Sequence, residues 1–225
     1  MTNMPGLLNW WRDRSLTLVL LALFVVCAFG QVMTGLGEYN EAQASHGQPA
    51  VTVRGYLATG HPWEALFENW ESEFLQMAAF VLLTTRLVQK GSPESRRRGV
   101  VEPYDADPRD HRDDPGAPWP VRRGGLALTL YEHSLSLALL LLFVASWTGH
   151  VLGGFAEFNA DQRAHGQPVL SLIGYMWTPR LWFESLQNWQ SEFLSIAAMV
   201  WLSVYLRERG SKESKAVHAA HDDYD

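Results

Sequence analysis

One cysteine in 225 residues, Cys27, leaves no partner for an intrachain disulfide and no paired-cysteine metal or redox site. Missing as well are a glycine-rich phosphate loop and any grouping of nucleophile, base and orienting residue. No basic face stands out: the net charge is −6 and the arginines of the central segment alternate with aspartates, which argues against nucleic acid as a partner. The most telling absence is local. From Ser15 to Gly37 no residue carries a formal charge, and Ser134 to Ala156 holds a single titratable group, His150. Each stretch is long and apolar enough to cross a hydrocarbon core of about 30 Å, for which about 20 residues suffice. A cleaved signal peptide explains neither, since the first lacks a small-residue cleavage pattern and the second is internal.

What is present is a duplication. Residues 15–96 recur as 134–215 without insertion or deletion, and 37 of the 82 aligned positions are identical. Both copies carry His-Gly-Gln-Pro (46–49 and 165–168), Asn-Trp (69–70 and 188–189) and Ser-Glu-Phe-Leu (72–75 and 191–194). Each copy also holds a second, shorter apolar stretch. Upstream of it Trp63, Leu66, Phe67, Trp70, Phe74 and Met77 follow helical spacing. That spacing predicts one helix from about Trp63 to Gln89, amphipathic at its start and membrane-buried at its end.

The expected fold is an all-α membrane protein of four transmembrane helices, arranged as two parallel two-helix repeats with amphipathic extracytoplasmic helices. Its segments are a cytoplasmic N-terminus at 1–14, a first repeat at 15–96 with spans near 16–35 and 70–89, and a disordered cytoplasmic linker at 97–125. A second repeat follows at 126–215, with spans near 134–154 and 189–207, and then a tail at 216–225. Fifteen Lys and Arg residues fall on the side of the termini and linker, and three on the other, a bias that puts both termini in the cytoplasm. An even number of spans per copy gives both copies the same orientation. In the outer segments, Gly47 followed by Pro49 reads as a helix stop. The stretch from Val51 to Tyr56 has no assigned conformation.

Comparison of the copies singles out polar residues. Glu64, Glu68 and Glu71 become Phe183, Gln187 and Gln190 and lie round the helix from Trp63, which reads as a solvated outer face. Glu73 recurs as Glu192 near the edge of the apolar stripe, where a carboxylate needs a partner or a proton. These two are the candidate proton or cation sites, with Asn69, Asn188, Glu38, Glu157, His46 and His165 as supporting polar residues. Interfacial anchoring is the competing reading for the two carboxylates. Glu38 and His46 stand eight residues apart, about 12 Å along a helix, so one helix cannot supply a metal site, and His46 sits where a helix end can use it as a cap. No metal, cofactor or catalytic residue is expected. Trp63, Trp70, Trp182 and Trp189 fit an aromatic belt.

The strings His-Gly-Gln-Pro, Asn-Trp-x-Ser-Glu-Phe-Leu and Gly-Ser-x-Glu-Ser, the last at 91–95 and 210–214, resemble a bacterial integral-membrane family described as a domain of unknown function. The resemblance implies a bacterial cytoplasmic-membrane protein and supplies no catalytic residue. Two functions remain in view: a structural or interaction protein of the membrane, with the bilayer and a protein partner or second copy as its contacts, and a small proton- or cation-coupled transporter or channel. An enzyme ranks below both.

Overall fold

A computed structural model describes residues 7–221. The first six residues of the expected N-terminal segment and the last four of the expected tail lie outside the described residues. Every regular element among the described residues is helical: α1 (Leu7–Asp13), α2 (Ser15–Ser45), α3 (Val53–Tyr56), α4 (His61–Thr84), α5 (Trp119–Arg123), α6 (Gly125–Glu132), α7 (Ser134–Ala164), α8 (Leu172–Met176) and α9 (Pro179–Tyr205). Among these, α2 and α7 are long and apolar enough to cross a membrane. At about 1.5 Å per residue their 31 residues each are more than a hydrocarbon core of about 30 Å requires, and the surplus is the polar C-terminal part of each helix. α4 and α9 have the length, with 24 and 27 residues. Their charged first halves set them apart from α2 and α7.

The chain divides into two compact units. One comprises Leu152–Leu170 with the chain up to Ala65, and the other Leu66–Val151 with the chain from Ser171 onward.

In the first unit the His-Gly-Gln-Pro strings explain how two helices end. Gly47 has φ +69° and Gly166 φ +65°, the left-handed conformation that glycine adopts without a Cβ penalty. His46 Nδ1 lies 2.8 Å from the Ala42 carbonyl and His165 Nδ1 3.0 Å from the Asp161 carbonyl, distances at which each ring donates to an end-of-helix carbonyl. The chain beyond each stop is then pinned back by an asparagine. Asn40 Nδ2 donates to the Val51 carbonyl at 3.1 Å while the Val51 N–H donates to Asn40 Oδ1 at 2.7 Å. Asn159 makes the same two bonds to Leu170, at 3.1 and 2.8 Å. A carboxamide with one donor and one acceptor is the side chain that can satisfy both backbone groups of one residue. The segment 51–56 then turns into α3, which Thr52 caps by accepting from the Gly55 N–H. Tyr56 at its end is buried, with its hydroxyl 2.9 Å from His61 Nδ1.

In the second unit α4 and α9 are joined by Gln76, whose Nε2 donates to the Glu192 carbonyl and the Ser195 hydroxyl, both at 3.1 Å. Beyond their ends the Gly-Ser-x-Glu-Ser strings act as staples. Ser95 Oγ accepts from the Gln89 N–H and donates to the Gln89 carbonyl, and Ser214 does the same with Glu208. Ser92 and Ser203 share a buried hydrogen bond of 2.9 Å. Where a disordered tether is expected at 97–125, the described chain is turned and capped. Pro103–Asp105 is a single 3-10 turn closed reciprocally by the Glu102 and Asp105 side chains, and Pro108–His111 is another, capped by Asp107. Arg96 pairs with Asp105 and donates to the Thr85 carbonyl at 2.9 Å. Asp105 and Asp107, which read as bare charge in the sequence, are cap residues, and each accepts a backbone N–H that a turn of this kind leaves over.

Candidate functional site

Three helices of the second unit place charged side chains together in the interior. On α4, positions 68 and 71 are one turn apart and share a face. On α9, positions 184, 185, 188 and 189 do the same. α7 contributes His150, which is fully buried. Its Nδ1 lies 2.9 Å from Glu71 Oε2, and its Nε2 lies 3.6 Å from Glu184 Oε2. Both ring nitrogens therefore point at carboxylate oxygens, and the doubly protonated imidazolium is the form that fits.

Glu71 is also fully buried, and its second oxygen is bonded too. Oε1 accepts from the Ser185 hydroxyl at 2.7 Å and from the Trp189 indole N–H at 3.1 Å. Three donors on one buried carboxylate compensate its lost hydration. Glu184 accepts from Arg180 Nε at 2.8 Å. It stands below the usual carboxylate range although burial works the other way, because His150 at 3.6 Å and the bonded Arg180 both favour the carboxylate. Glu68, half-buried, accepts from the Asn188 amide. Burial raises its carboxyl against the opposing charge of His150, with Glu184 and Glu71 adding to the rise.

The outer-face reading of Glu64, Glu68 and Glu71 is thus corrected. Glu64 and Glu71 are buried and Glu68 is half-buried. Angular distance from Trp63 separates solvent from core only for a helix with one partner face. α4 in the second unit meets both α7, through His150, and α9, through Ser185, Asn188 and Trp189.

The residues singled out from sequence are dispersed. Glu73 is exposed and Glu192 half-buried, and the two lie near enough for the Glu73 charge to act on Glu192. Asn69 is exposed, with its carbonyl accepting from Ser72. Asn188 alone of the set enters the buried cluster. In the first unit Glu38 is exposed and Glu157 half-buried. Both bear on Tyr56, whose hydroxyl is raised first by burial and then by these two carboxylates. His46 and His165 are exposed and stack edge to face with ring centroids 5.0 Å apart.

The cluster residues Glu68, Glu71, His150, Arg180, Glu184 and Ser185 escaped the sequence reading. A signal was available. Their aligned positions are Gln187, Gln190, Gln31, His61, Ala65 and Leu66, so each cluster residue differs from its own duplicate. Selecting identical pairs discarded these positions.

A second carboxyl pair comes from the Gly-Ser-x-Glu-Ser strings. Glu94 and Glu213, 119 positions apart, interact with each other, and the Glu94 carboxyl is pushed up to about 7, first by burial and then by Glu213. A proton on one of two neighbouring carboxyls relieves their repulsion.

Residues 7–225 match a family model described as a domain of unknown function (DUF6766). No curated protein and no solved structure matches the chain.

Proposed function

For a chain that belongs to the DUF6766 family, a domain of unknown function, we propose a structural or interaction role in the bacterial cytoplasmic membrane. In this reading the protein has four spans in two parallel hairpin repeats, with the termini and the linker in the cytoplasm. One observation carries it. The 18-residue apolar stretch of α2 buries none of its residues against the rest of the chain, whereas 28% of the α7 stretch is buried. Such a surface, which includes Leu16, Val19, Leu20, Phe24, Val26 and Phe29, is stable only against lipid tails or apolar helices of another protein. The interior polarity, by contrast, is spent on bonds between the chain's own helices.

Transport of protons or cations is the second reading, favoured by the proximity of Glu73 and Glu192 across α4 and α9. The full chain reconstituted in proteoliposomes separates the two. On the interaction reading it passes no protons or cations above empty vesicles. Flux that is lost in the Glu73→Gln/Glu192→Gln variant puts transport in its place. Topology is tested in a Cys27→Ala background with a membrane-impermeant maleimide on intact cells. Ser45→Cys and Ala164→Cys are expected to label, and Ser95→Cys and Ser214→Cys only after permeabilisation. Labelling of the latter two in intact cells overturns the four-span arrangement.

A further inference from the structure

The cluster around His150 does not balance its charge. α4 presents Glu68 and Glu71, α7 presents His150, and α9 presents Arg180 and Glu184. Three carboxylates thus face two cations, and the deficit is one positive charge. The neutral groups that complete the cluster, Ser185, Asn188 and Trp189, donate hydrogen bonds and leave the count unchanged. An uncompensated charge among buried helices is costly, and the inexpensive remedy is a proton.

We propose that this cluster is a proton-binding site that takes up one proton from solvent at Glu68. The geometry distinguishes Glu68 from the other two carboxylates. Glu71 is bonded to His150, and Glu184 to Arg180 with His150 at ion-pair distance, so a proton placed on either weakens an attraction to a cation. Glu68 is bonded to the neutral amide of Asn188, and protonation there costs no ion pair. It is also half-buried, as Glu184 is, whereas Glu71 and His150 have no exposed side-chain surface, so solvent reaches the cluster at Glu68 or Glu184 and only Glu68 can take the proton without weakening an ion pair. The step is a simple transfer: an O–H bond forms at the Glu68 carboxylate, hydronium is left as water, and the cluster becomes neutral. From Glu68 the chain Glu71–His150–Glu184 runs between α4, α7 and α9. A proton bound at its edge therefore acts on the contacts of three helices at once.

The full chain in lipid nanodiscs tests this by infrared difference spectroscopy across about pH 4 to 8, a window that spans ordinary and raised carboxyl values. The background is Glu94→Gln, which removes the other raised carboxyl described above. The expected result is a protonated-carboxyl band that fades as pH rises and is missing from Glu68→Gln. Glutamine already stands at the aligned position 187, and Glu68 is only half-buried, so this variant is expected to fold. His150→Gln removes one cation and is expected to move a carboxyl titration to higher pH. Spectra of Glu68→Gln that superimpose on the parent across the whole range overturn the proposal, as does a His150→Gln titration that moves to lower pH. Neither readout depends on whether the protein passes ions.

Discussion

Replacing Glu71 and His150 singly and together turns the buried cluster into a measurable free energy. Each glutamine substitution keeps the approximate size of the side chain and removes one charge. At about 4 Å between charge centres and an effective dielectric near 20, the pair attracts by about 4 kcal/mol. Removing one partner of a buried pair costs about 3–5 kcal/mol, since the other charge stays buried with reduced compensation. For His150→Gln, the stranded group is a carboxylate that keeps its bonds from Ser185 and Trp189, at 2.7 and 3.1 Å, which puts the cost at the lower end. For Glu71→Gln, the imidazolium keeps Glu184 at 3.6 Å, while the amide oxygen can still accept from Ser185 and Trp189 and its NH2 then faces the His150 Nδ1 donor. Each single variant is therefore expected to lose about 3 kcal/mol. The double variant strands neither charge, so it is expected to be more stable than the sum of the single losses predicts, by about 2–3 kcal/mol. Unfolding in mixed micelles followed by far-UV circular dichroism supplies the numbers. Single losses below about 1 kcal/mol that add within about 0.5 kcal/mol would refute the reasoning, because the charges would then not be coupled.

Two further outcomes follow from other contacts. A Cβ on Gly149 would stand 2.5 Å from the Phe67 ring, whereas one on Gly30, its aligned counterpart, meets nothing within 4 Å. Gly149→Ala is expected to cost about 1–3 kcal/mol and Gly30→Ala to gain about 0.5–1 kcal/mol, both read from the same unfolding curves. The carboxyl of Glu94 is raised to about 7 in the folded protein, so there the folded state binds a proton that the unfolded chain releases. Stability is then fully present below the ordinary glutamate value and falls as pH rises through about 7. Glu94→Gln is expected to flatten that decline, and an unchanged pH profile in the variant refutes the raised Glu94 carboxyl.

The legible parts of the fold were those in which local chemistry decides. Ser15–Gly37 and Ser134–Ala156 lack charge and become the apolar stretches of α2 and α7. Gly47 and Gly166 end those helices in the left-handed conformation, and His46 and His165 bond to end-of-helix carbonyls. These features depend on a few neighbours along the chain, so spacing reveals them. The buried cluster depends on three helices and on partners such as Glu71 and Ser185, 114 positions apart. No periodicity within α4 distinguishes a carboxylate facing water from one facing His150. The turns of the linker escape composition for a different reason. Composition counts Asp105 and Asp107 as charge, yet both cap turns, a role set by their distance from Pro103 and Pro108.

The Glu71–His150 bond bears on how far the two similar stretches of the sequence could stand in for each other. Glu71 belongs to the first copy and His150 to the second, while their duplicates are the neutral Gln190 and Gln31. Pairing two first halves would set Glu71 against Gln31, a carboxylate without its counterion. Pairing two second halves would set His150 against Gln190 and leave it only Glu184. Only the unlike combination gives each charge its complement. At this bond the two stretches are therefore not interchangeable: each supplies the charge for which the other carries a glutamine.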